Sequence, residues 1–181
     1  MNYEYAIEKI SSYIKLLNSN TCTFTGHRCQ KLPWGKDETD FRCKGMKERL
    51  REEILCAIQN GYENFICGMA LGFDTIVAEM IIELKNKYPN IKLFGAIPCK
   101  NQDKLWHKQD KIRYEKLLTQ LDGIRCIYDE YIGPECMLER NRYMVNSSSL
   151  LIALYDGLGG GTQKTIDYAR KQGLKIVIIE P

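Results

Sequence analysis

Short apolar or β-branched runs alternate along this chain with longer stretches whose apolar residues recur every three or four positions. The short runs are Cys22 to Thr25, Asn64 to Cys67, Lys92 to Ile97, Gly123 to Tyr128, Leu150 to Tyr155 and Lys175 to Ile179, and each reads as a strand. Helical periodicity covers Met46 to Asn60, Asp74 to Lys87 and Gln163 to Gln172, which stop at Gly61, ahead of Pro89 and at Gly173, the breakers expected at helix ends. Such alternation predicts an α/β fold, doubly wound, with a mostly parallel sheet and helices on both faces. Ahead of the first strand, Tyr3, Ile7, Ile10, Ile14 and Leu17 share one face of a helix within residues 1–20. That helix either covers the sheet of its own domain or forms an oligomer contact. Residues 21–181 form one domain, with a long loop from Gly26 to Gly45 of the kind that is often functional.

Composition narrows the class. With 44% hydrophobic and 27% charged residues the chain is an ordinary globular one. Lys and Arg number 26 against 23 Asp and Glu, interleaved without a basic block, so charge predicts no nucleic-acid partner. No apolar run approaches the roughly 20 residues that span a bilayer, which argues against a membrane partner. The start lacks the plan of a signal peptide, so the expected location is cytoplasmic. The eight cysteines include no C-x-x-C pair and read as free thiols. Only His27 and His107 could join them, so no metal site is expected.

Candidate chemistry sits in the loops that follow the strands, because ligands of open parallel sheets bind outside the carboxyl ends. Three such loops carry glycine: Gly26-His27-Arg28, then Gly68-Met69 on to Gly72 and Asp74, and Gly159-Gly160-Gly161-Thr162. The last is the best phosphate cradle, since glycine allows close backbone approach and a helix start offers free N–H groups. Neither the P-loop spacing nor the dinucleotide fingerprint fits, and no cofactor is implied. Arg28, Arg140 and Arg142 could supply charge-assisted hydrogen bonds, with Arg140 the preferred anchor. Asp74 could cap its helix or accept from a ribose, and His27 could be an acid, a base or a donor. Trp34, Trp106, Tyr131 and Tyr143 offer aromatic faces for stacking a base.

Several motifs carry a family resemblance: Phe24-Thr25-Gly26-His27-Arg28, Lys31-Leu32-Pro33-Trp34-Gly35, Cys67-Gly68-Met69-Ala70-Leu71-Gly72-Phe73-Asp74, Ile97-Pro98-Cys99 with Gln102 and Trp106, Arg140-Asn141-Arg142-Tyr143-Met144-Val145, and Tyr155-Asp156 leading to Gly159-Gly160-Gly161-Thr162. Together, from about Thr23 to Ile179, they resemble the YpsA-like branch of the SLOG superfamily, the group that also contains DprA and the LONELY GUY hydrolases. The resemblance implies a Rossmann-like fold and a pocket for nucleotides or nucleotide derivatives such as ADP-ribose. It also implies a possible homodimer. The hydrolase motif is matched by Met137, Glu139, Arg140 and Met144, but Thr165 stands in place of its final glutamate.

The expected function is thus binding of a phosphate-bearing nucleotide as sensor, carrier or sequestering module. Arg140, Asn141 and Arg28 would hold the ligand with Gly159 to Thr162. One alternative is a nucleotide N-glycosidase in which Glu139 and Arg140 act, with Glu139 taking the missing carboxylate's part. The other is a single-stranded nucleic-acid or protein-interaction domain.

Overall fold

The computed structural model describes residues 18–181; the helix expected ahead of the first strand lies outside the described residues. Six strands form one all-parallel sheet: β1 (Thr21–Gly26), β2 (Asn64–Cys67), β3 (Lys92–Cys99), β4 (Gly123–Tyr128), β5 (Leu150–Leu154) and β6 (Lys175–Ile179), in the order β4-β3-β2-β1-β5-β6. Among the described residues, five helices alternate with them: α1 (Phe41–Gln59), α2 (Phe73–Lys85), α3 (Lys108–Leu118), α4 (Glu135–Asn146) and α5 (Gly161–Lys171).

Period-two alternation divides the core into two layers. Cys22, Phe24, Phe65, Leu93 and Ile152 meet Met46 and Leu50 of α1 and Val77 and Ile81 of α2 on one face. On the other, Leu151 and Ala153 pack on Val145 of α4 and Ile166 of α5, while Ile66 and Ala96 meet Met144. Both faces are covered, so the central strands read as continuous apolar runs. The expected doubly wound, Rossmann-like α/β architecture is the one observed.

Two helices escaped the periodicity. In α3 only Tyr114 and Leu117 are buried, too few to write a stripe. The buried set of α4 is Cys136, Arg140, Met144 and Val145, and an arginine inside the stripe breaks the apolar pattern. The first helix also begins five residues earlier than its apolar residues suggest. Asp40 accepts from the Arg42 amide at 2.8 Å and caps the start, while Phe41 itself is exposed. The long loop is correspondingly shorter and more ordered: Cys29–Lys31 form a 3-10 turn, and Leu32 and Trp34 are buried in the main core. Trp34 is only 5% exposed and serves as a loop anchor. All eight cysteines are free thiols, as expected. No helix among the described residues is long and apolar enough to cross a membrane.

Candidate functional site

Strand order reverses between β1 and β5, which are neighbours with Gly26 opposite Leu154. Chains leaving such a pair diverge to opposite faces, and the crevice between them is where doubly wound folds bind ligands. A cavity of about 330 Å³ opens there. The end of β1 contributes Gly26, the loop after it His27, Arg28 and Lys31, α2 contributes Asp74, α4 contributes Arg140 and Asn141, and α5 contributes Gly161 and Thr162.

The expected glycines divide into two kinds. A β-carbon on Gly26 would lie 2.4 Å from the Phe73 ring, and one on Gly68 would strike the Arg140 guanidinium. Gly72, at φ 99°, would bring a β-carbon to 2.9 Å from the His27 carbonyl oxygen. These three permit close packing of the walls. Met69 packs in the main core, and its carbonyl accepts from Gln102 Nε2 at 3.1 Å. Gly159 and Gly161 have open space instead, and Gly160 takes φ 124° at the N-cap of α5.

That helix start has no side-chain cap and no acidic residue in its first turn. Its N–H groups and partial positive charge are therefore left to a ligand or to water. Lys31 lies close by: a β-carbon on Gly160 would come within 3.1 Å of its Nζ. Neither the Lys31 nor the Arg28 side chain has a hydrogen-bond or ion-pair partner among the described residues.

The other expected anchor is engaged within the protein. Arg140 is 7% exposed, donates through Nη1 to the Gly68 carbonyl and sits 3.8 Å from Asp74 Oδ2. Burial raises the Asp74 pKa and lowers that of Arg140, each opposed by the other's charge. Asp74 Oδ2 also accepts from the Ala70 amide at 3.1 Å, closing its own loop. Arg140 Nε donates to Asn141 Oδ1 at 2.8 Å, and Asn141 Nδ2 donates to Thr165 Oγ1 at 2.8 Å. Thr165, standing where the hydrolase motif has glutamate, thus ties α4 to α5. Glu139 pairs with Arg142 on the exposed side of α4 and does not line the cavity.

His27 is 3% exposed. Its Nε2 is 2.8 Å from Asp156 Oδ1, an ion-pair distance without hydrogen-bond geometry, and its Nδ1 is 3.5 Å from Thr162 Oγ1. Asp156 was not among the expected site residues, nor was Lys31; both lay in the family-like motifs. A larger cavity of about 730 Å³, lined by Gln102, Trp106 and Tyr131, adjoins the first through Arg28, Gln30, Leu71 and Met137. Tyr143 lines neither of them.

The sequence profile of the YpsA family, described as the YspA SLOG family, matches residues 22–180. The chain belongs to the YspA SLOG family. Among its relatives, this SLOG chain is 34% identical over 140 residues to the SPbeta prophage-derived protein YoqJ of Bacillus subtilis, covering 68% of this chain and 81% of YoqJ. It is 30% identical over 120 residues to a UPF0398 protein of Bacillus pumilus, covering 66% and 64%. The SLOG fold is shared with DNA processing protein A of Streptococcus pneumoniae, at TM-score 0.62 and 17% identity, and of Helicobacter pylori, at 0.60 and 19%. Each superposition covers 91% of this chain, but the chain spans only 51% and 67% of those proteins. The Helicobacter protein was solved for its mode of binding single-stranded DNA.

Proposed function

We propose that this SLOG domain binds a phosphate-bearing nucleotide or nucleotide derivative, with the phosphate on Gly159 to Thr162. The observation that carries the reading is Lys31. Its ammonium group lies beside the uncapped start of α5, which has positive character itself. Two like charges brought together without a counter-ion call for an anion between them. Arg28 supplies a second cation on the same wall, without a hydrogen-bond or ion-pair partner among the described residues, while Arg140, already facing Asp74, shapes the floor. The adjoining cavity has the aromatic and amide groups, Trp106, Tyr131 and Gln102, that suit a base.

A thermal-shift screen of nucleoside mono- and diphosphates, NAD, ADP-ribose and cyclic dinucleotides tests this, because a ligand of the native state raises the melting point by mass action. Lys31→Ala should weaken the binding of a responding compound by at least about tenfold, as loss of a charged hydrogen bond implies, without lowering the melting point of the free protein. A panel without any shift would remove the reading.

One observation favours single-stranded nucleic acid as a second reading. Leu105, Tyr131, Ile132 and Leu158 are all exposed, and all lie in loops at the carboxyl edge of the sheet, where bases could rest on them. Binding to an oligonucleotide that falls steeply with added salt would support it; salt-insensitive or absent binding would exclude it.

A further inference from the structure

The two nitrogens of the buried His27 ring face Asp156, in the loop after β5, and Thr162, in the first turn of α5. The negative charge of Asp156 Oδ1, 2.8 Å from Nε2 though outside hydrogen-bond geometry, favours the tautomer that carries the ring proton on Nε2. Nδ1 then turns a lone pair toward the Thr162 hydroxyl. Asp156 is held in its ionised form: the Leu158 amide donates to Oδ1 at 2.9 Å, and that bond followed by His27 lowers its pKa. Hydroxyl, imidazole and carboxylate thus stand in the order of nucleophile, base and orienting group. The two ring nitrogens are used in the opposite sense from the serine-protease arrangement. The 3.5 Å between Thr162 Oγ1 and Nδ1 is the loose contact usual before a substrate arrives. Thr162 lines the cavity as the second residue of α5.

We propose that Thr162 is a phosphoryl acceptor activated by His27 and Asp156, with a nucleoside triphosphate as donor. The proposal rests on the nucleotide reading above. Thr162 Oγ attacks the terminal phosphorus; the Oγ–P bond forms as the bond from phosphorus to the bridging oxygen breaks. The nucleoside diphosphate leaves with that electron pair. The hydroxyl proton passes to His27 Nδ1, Asp156 stabilises the imidazolium, and the proton is released to solvent. The new phosphate sits at the start of α5 beside Lys31, where helix dipole and ammonium both favour it. It also fills the cradle, so the modified chain no longer takes up a nucleotide there.

The test incubates the full chain with ATP and magnesium, quenches in acid and maps the peptides by mass spectrometry, alongside a measurement of ATP binding. The expected result is one added phosphoryl group on Thr162, kept in Thr162→Ser and absent from Thr162→Val. His27→Gln and Asp156→Asn should slow its formation at least about tenfold, the effect of losing a general base. The wild-type peptide map decides the matter whether or not the variants fold. A chain that binds ATP yet stays unmodified at Thr162 overturns the proposal and leaves the binding reading in place. A chain that neither binds ATP nor is modified overturns the phosphoryl-acceptor proposal, and the binding reading is then decided by the wider ligand panel.

Discussion

Arg140 and Asp74 meet in the interior with Nη1 and Oδ2 3.8 Å apart, both side chains buried beneath the cavity. Removing one partner of such a pair leaves the other as an uncompensated charge. Arg140→Ala is therefore expected to lower the unfolding free energy by about 3–5 kcal/mol in urea denaturation. Burial already raises the Asp74 pKa against the pull of Arg140, so loss of the arginine raises it further. A carboxyl whose folded pKa lies above its unfolded value favours the fold as pH falls through that window. The variant should thus recover part of its lost stability on acidification toward the carboxylate range; a deficit independent of pH would contradict the pairing.

The two kinds of glycine separate by mutation. Gly26→Ala forces a β-carbon to 2.4 Å from the Phe73 ring, and overpacking of that kind costs about 1–3 kcal/mol. Gly159→Ala meets no atom within 4 Å and should leave the melting temperature unchanged. Calorimetry of the two purified variants checks the contrast, and equal melting temperatures would refute it.

Trp34 holds the first loop down by filling the core with Leu32. Trp34→Ala is expected to cost about 3–5 kcal/mol, read from urea denaturation. The site should weaken too, since Arg28 and Lys31 ride on the same loop. A variant of wild-type stability would show that the ring contributes little to the core.

Glu38 fastens the far end of that loop, accepting from Arg113 Nη1 and Lys47 Nζ at 2.6 Å each. Burial pushes its carboxyl pKa up, but the two cations outweigh burial and the net shift is downward. A depressed folded pKa contributes stability above the ordinary glutamate value that is lost as pH falls through the lowered one. Glu38→Gln should therefore melt below wild type at neutral pH, with the gap closing in acid. Melting curves across that range decide it; a gap that stays constant would exclude the ion pairs as its cause.

Much of the architecture was legible in local pattern. Asn64 to Cys67, Gly123 to Tyr128 and Lys175 to Ile179 are strands with the expected bounds, because each is a short apolar or β-branched run set off from the helical stretches beside it. The helices at Lys108 and Glu135 were not legible, since one carries too few buried residues and the other buries Arg140. The glycine loops were visible as punctuation. Their division into packing glycines and an open cradle was not, because it depends on what lies opposite each one.

The sequence by itself determined the alternation of strands and helices, and with it a doubly wound sheet whose glycine-bearing loops gather at one edge. Tertiary structure decided the charges. Placing β5 beside β1 brings Asp156 to His27 across more than a hundred residues, seats Arg140 opposite Asp74, and leaves Lys31 at the bare start of α5. Periodicity records which side of an element is buried. Which cation finds a carboxylate depends on contacts between elements far apart in the chain, and those exist only once the strands have paired.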